Sequence, residues 1–139
     1  MRPEDHIKRY KQMRITLSEL LSKPSQDRDK ASIVTIAHWS SYHLVSAIID
    51  QMPINEQLKH HNHRGVKKIL KNPQVQALIG DYANEILYLY NSLEMNFLAK
   101  FQYGGIESTP DYKNLNQILE NLETICKKIT EELQKSHGI

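Results

Sequence analysis

The stretch that most constrains this chain runs from Asn72-Pro73 to Tyr103-Gly104-Gly105. Apolar residues recur there at helical spacing: Val75, Leu78 and Ile79, Tyr82, Ile86, Leu89, Leu93, Phe97 and Phe101. A repeat of three and four predicts one long amphipathic helix. Pro73 suits a first turn, Gly104-Gly105 suits a stop, and Gly80 is the one internal glycine. At about 1.5 Å per residue the helix extends roughly 45 Å. A stripe of that length is buried only by other helices laid along it.

The rest of the chain supplies them. A first helix is expected from about Pro3 to Leu21, with Ile7, Tyr10, Met13, Leu17, Leu20 and Leu21 inward and Lys8, Arg9, Lys11 and Arg14 on a solvated face. Ser25 reads as the N-cap of a second helix reaching Gln51, ahead of Pro53. Its stripe, Ile33, Ile36/Ala37, Ser40, Leu44, Ala47 and Ile48, is thinner and more polar, with Ser40 and His43 one turn apart. A short helix is expected from Asn62 to Lys71. Thr109 as N-cap and Pro110 as first residue start a final helix along Leu115, Ile118, Leu122, Ile125, Ile129 and Leu133. No stretch alternates apolar and polar residues between turns, so strands are not expected. The fold class is all-α: one domain over residues 1–139, an antiparallel up-and-down bundle of four long helices and one short one.

Composition narrows function mainly by exclusion. A net charge of +2 over 139 residues is too small to mark a nucleic-acid binder by itself. The lone Cys126 builds neither a disulfide framework nor a thiolate zinc site. No apolar run approaches the roughly 18 residues of a membrane span, and the polar start, Met1 to His6, lacks a signal-peptide core. The expected location is the cytoplasm, without membrane association.

Where the charges fall says more. From Gln57 to Gly80 there is no Asp or Glu, while Lys59, Arg64, Lys67, Lys68 and Lys71 stand there with His60, His61 and His63. This is an anion-attracting stretch. Lys59, His60, His63, Arg64, Lys67 and Lys68 are the candidate ligand-binding residues, for phosphate on RNA or on a nucleotide. No aromatic residue interleaves with them, so base stacking is not expected there. The histidines form no Glu-x-x-His or His-x-x-x-His pair, and Glu56 and Asp50 read as flanking the loop rather than sharing a helix face with His43. Neither metal nor cofactor is expected. His43, on a mostly apolar stripe, is a general acid/base candidate set against an ordinary interior imidazole. Trp39, Ile49, Tyr88 and Leu98 form a possible homodimer seam.

Several segments together resemble the HEPN-domain family. His38-Trp39-Ser40-Ser41-Tyr42-His43-Leu44-Val45-Ser46-Ala47 is similar to its aromatic-rich second-helix segment, of the type YYSAFHLVNA. Lys59-His60-His61-Asn62-His63-Arg64-Gly65-Val66 resembles the K-x-H-x-G-V approach to its short third helix, and Tyr103-Gly104-Gly105 its aromatic-glycine helix end. The likeness spans about Arg28 to Leu133. It implies a four- to five-helix bundle, commonly dimeric, often paired with a minimal nucleotidyltransferase as a toxin–antitoxin couple. Catalytic members are metal-independent ribonucleases whose signature is an Arg followed, after four to six residues, by a His. No Arg here precedes a His at that spacing; Arg2 and His6, the nearest pair, are separated by three residues.

The expected function is therefore a non-catalytic module that binds nucleotide or RNA, or docks a nucleotidyltransferase, as a homodimer. The alternatives are a metal-independent ribonuclease with an atypical site drawn from His43, His63 and Arg64, and a structural adaptor bundle.

Overall fold

The structure is a computed structural model that describes residues 2–59, 65–103 and 108–137. Among them every regular element is helical. Helix α1 spans Pro3–Leu21, α2 Lys30–Gln51, α3 Val66–Leu70, α4 Pro73–Ile79, α5 Asp81–Ser92 and α6 Tyr112–His137. A π-helical segment, Leu93–Tyr103, continues α5, and 3-10 turns occupy Ser25–Asp27 and Glu56–Lys59. No described helix is long and apolar enough to cross a membrane.

α1 begins as its sequence dictates, with Pro3 in the first turn and Glu4 and Asp5 at the positive helix start. Its end is held from outside. Arg28 donates from Nη2 to the carbonyl of Leu21 at 2.7 Å, one the helix leaves open, and from Nε to that of Lys23, just beyond the helix, at 2.9 Å. The same guanidinium lies 4.8 Å from the ring centre of Tyr112, tying the α1–α2 turn to the start of α6. α2 is capped by Asp29, whose carboxylate accepts from the backbone N–H and hydroxyl of Ser32. The expected cap, Ser25, instead opens the preceding 3-10 turn.

α2 is the centre of the fold. It packs against α1, α3, α5, α6 and the π-helical segment. Its polar-looking stripe is almost wholly buried, Ser40 included, and so are Ser41 and Ser46 outside that stripe. Ser40 and Ser41 donate to the carbonyls of Ala37 and His38, at 2.8 and 2.6 Å, one turn earlier. Back-bonded in this way, a serine behaves as a small residue that lets neighbouring helices approach. A helix covered on every side does not need a one-sided apolar stripe.

The long helix expected from Asn72 to Tyr103 is divided. Asn72 caps α4, its side chain accepting from the N–H of Gln74 at 2.8 Å, and Gly80 then breaks the run with φ 57° and ψ −132°. That backbone region is open to glycine and costly for other residues. Beyond Ser92 the helix relaxes to π winding, and Leu93, Phe97 and Leu98 stay in the core. Among the described residues, three helices rather than four are long and unbroken: α1, α2 and α6. The last begins at Tyr112, two residues after Pro110. Asp111, not Thr109, supplies the cap, accepting from the N–H of Asn114 at 3.0 Å.

Candidate functional site

The cationic stretch is less free than its sequence suggests. His60, His61, His63 and Arg64 lie outside the described residues. Of the rest, Lys59 pairs with Glu56 at 3.2 Å. Lys67 reaches across from α3 to Glu94, at the start of the π-helical segment, at 2.7 Å, and to the amide oxygen of Asn91 at 3.2 Å. That pair is roughly three-quarters buried on both sides, where a charge pair is less screened than at the surface. The acid-free run in sequence thus meets an acid in space. Lys68 and Lys71 remain exposed, and no carboxylate among the described residues stands within ion-pair distance of them.

His43 has a fuller environment. It sits on α2, 8% exposed, with Nδ1 2.8 Å from Nδ1 of His6, which is itself 6% exposed. One of the two nitrogens carries the proton and donates; the other accepts. His6 Nε2 lies 3.5 Å from Oδ2 of Asp50, mostly buried on the last turn of α2. The cluster therefore runs Asp50, His6, His43, with α1 contributing its middle member. Tyr42 closes one side, its ring 5.1 Å from that of His43 and 6.1 Å from that of His6, both edge-on. Burial first, and the nearby Arg9 cation second, lower the His43 pKa below its usual 6.5. Both causes favour the neutral imidazole.

Sequence reading singled out His43 but not its two partners, and it set Asp50 apart from it. Both signals were present. Asp50 follows His43 by seven residues, two helical turns on, so an α2 that runs through Gln51 puts them on one face. His6, Tyr10 and Leu17 form the buried side of α1 at helical spacing. No single-helix pattern joins His6 to His43 across 37 residues. The two rings meet nitrogen to nitrogen at hydrogen-bond distance, and no group of three or more His, Cys, Asp or Glu among the described residues is arranged to hold a metal.

The other expected residues separate. Ser40 is fully buried and bonded within its own helix, away from any shared chemistry with His43. His38 lies inside α2 against Tyr90, ring centres 5.2 Å apart. Of the seam candidates, Ile49 and Leu98 are consumed by the core of the chain itself. Tyr88 is 73% exposed and Trp39 half-buried. Tyr88 instead edges a groove of about 550 Å³ between α5 and α6, lined also by Glu85, Leu89, Ile125 and Lys128.

Compared with family models, with curated proteins and with solved structures, the chain matches none.

Proposed function

We propose that this chain is a helical-bundle module of the HEPN kind that binds RNA or nucleotide phosphate without cleaving it, and that serves a nucleotidyltransferase partner in a toxin–antitoxin pair. Homodimerisation belongs to the same reading. The observation that supports it is the pair Lys68 and Lys71, one turn apart at the end of α3, exposed and facing no carboxylate among the described residues. Two cations without local neutralisation attract phosphate; Lys67, already engaged by Glu94, contributes little.

The test is a native-gel shift of total RNA in chelator, run beside a degradation time course. Wild type is expected to shift RNA without degrading it. The double variant Lys68→Ala/Lys71→Ala is expected to bind more weakly, with a salt slope smaller by about 1.4, at about 0.7 per phosphate contact on single strands. Binding that ignores salt, or no binding at all, rules this reading out.

A metal-independent ribonuclease is the second reading, and the Asp50–His6–His43 chain favours it. With the Asp50 carboxylate 3.5 Å away favouring the proton on His6 Nε2, and His6 Nδ1 accepting from His43 Nδ1–H, Nε2 of His43 is left as a free base. Cleavage in chelator that His43→Ala abolishes, with the fold retained, would establish this reading in place of the first.

A further inference from the structure

A second acid-free run lies on α1. Between Asp5 and Glu19 the thirteen residues from His6 to Ser18 include Lys8, Arg9, Lys11 and Arg14 and no carboxylate. Here the structure brings one acid near, Glu123 of α6, which acts on Tyr10 beside Arg14 without pairing with a cation. α1 lays His6, Tyr10 and Leu17 inward and packs on α2, so Lys8, Arg9 and Lys11 are exposed and Arg14 half-buried. None of the four stands within ion-pair distance of a carboxylate among the described residues. This is a denser field of unneutralised cations than the Lys59–Lys71 stretch offers among its described residues, where Glu56 holds Lys59 and Glu94 holds Lys67.

An aromatic edge adjoins it. Trp39 and Tyr42 of α2, both half-buried, meet edge to face at 5.5 Å. Tyr42 in turn contacts His6 and His43, and Arg9 lies close enough to act on His43 electrostatically. Arg9 and the partly exposed rings of Trp39 and Tyr42 thus stand on the same α1–α2 seam, with Lys8 next to Arg9 on the outer side of α1. Single-stranded nucleic acid is recognised by this pairing: cations track the phosphates and aromatic rings stack on bases, with little demand on sequence.

We propose that single-stranded RNA binds across the α1–α2 seam, its phosphates on Lys8, Arg9 and Lys11 and its bases against Trp39 and Tyr42. The inference rests on the reading of the chain as an RNA-binding module and moves the principal contact surface from α3 to α1. An anionic membrane fits the face poorly, because a helix lying on a bilayer inserts an apolar side. The apolar side of α1 is spent on α2, and Ile15 is its one large exposed apolar residue.

Trp39 is the single tryptophan, so its fluorescence reports the proposed surface alone. Full-length protein would be titrated with a fluorescein-labelled oligouridylate, reading probe anisotropy and Trp39 emission, for wild type, Lys8→Ala/Arg9→Ala/Lys11→Ala and Lys68→Ala/Lys71→Ala. The three α1 side chains are exposed, and circular dichroism checks that the triple variant keeps its helices. The expected result is quenching of Trp39 on binding, at least tenfold weaker affinity in the α1 variant, and a salt slope smaller by about 2. Binding that leaves Trp39 unchanged and is lost only in the α3 variant overturns this inference and leaves the binding-module reading standing. Absence of RNA binding in all three overturns both. A Trp39 change with anionic lipid vesicles or a polyglutamate peptide, and none with the oligouridylate, also overturns the assignment to RNA.

Discussion

His6 is the residue whose removal tests the structure most sharply. In His6→Ala the Nδ1 of His43, a ring 8% exposed in the native chain, loses its partner 2.8 Å away. A buried polar atom left unmade costs about 1–3 kcal/mol. The imidazole also leaves a void against Tyr42 and takes away the group that faces Asp50. Together these give an expected loss of about 2–4 kcal/mol, at the large end for a single substitution. With an unfolding entropy near 2.1 cal/mol/K per residue over 139 residues, that corresponds to a fall in Tm of roughly 7–14 °C. Urea denaturation followed by Trp39 fluorescence measures it. The double-mutant cycle with His43→Ala should show coupling above about 0.5 kcal/mol, as expected of residues in contact. A loss under about 0.5 kcal/mol, additive with His43→Ala, would mean that the pair does not join α1 to α2.

The same pair predicts a pH dependence. The folded chain holds the His43 pKa below 6.5, through burial first and Arg9 second. The unfolded chain takes up this proton near pH 6.5, before the folded chain does. Below that pH the unfolded state binds more protons, so stability falls as pH falls, by up to about 1.4 kcal/mol per pH unit for one group. The decline ends where the folded state also protonates; above pH 6.5 the contribution is fully present. The groups facing His43 are His6 and Arg9 from α1, with Asp50 behind His6 and Tyr42 beside it on α2. In wild type minus His43→Ala, the stability difference should shrink between pH 7 and pH 5. A difference that stays constant or grows contradicts a neutral, buried His43.

Two further perturbations probe the framework. Gly80→Ala should destabilise by about 1–2 kcal/mol from backbone strain alone, because φ is +57° and an added Cβ meets nothing within 4 Å; a neutral or stabilising result in the denaturation midpoint would mean that the helix runs through Gly80 unbroken. Cys126 is buried and its thiol is pushed up to about 12, by burial first and then by Glu123, so a disulfide reagent should label it only as fast as the chain unfolds; rapid labelling under native conditions would show that α6 opens locally.

The helical class was legible because it rests on spacing, and spacing is local. The stripe of α6 from Leu115 to Leu133 lies in or against the core, and on α1 Tyr10 and Leu17 are buried while Ile7, Leu20 and Leu21 pack partly buried against it. The division of the Asn72–Tyr103 stretch was not legible, since an apolar repeat continues through a glycine whether or not its φ is helical. Caps showed the same limit. Ser25, Asp27 and Asp29 all precede α2, and the choice of Asp29 depends on where the chain turns after Arg28 anchors the end of α1. The buried serines of α2 misled for a different reason: hydropathy counts the hydroxyl as polar, while the helix satisfies it internally.

Charge was the hardest property to read, because an acid-free run of sequence is not an acid-free surface. The run from Gln57 to Gly80 and the run from His6 to Ser18 look alike on the page. The described cations of the first lie largely on and beside α3, which packs on α5, and Glu94, 27 residues away, reaches Lys67. The second belongs to a helix whose main neighbour, α2, is almost devoid of acids: its one described carboxylate beyond the Asp29 cap, Asp50, is turned inward to His6, and Glu123 of α6 meets Tyr10 rather than Lys8, Arg9 or Lys11. A cation keeps its field when the helix packed against it has nothing to neutralise it, so the composition of the partner helix decides which run stays open to phosphate. By that criterion α1 outranks α3. The buried His6–His43 contact gives α1 one reason to stay in place: it fastens the helix to α2 beside Lys8 and Arg9.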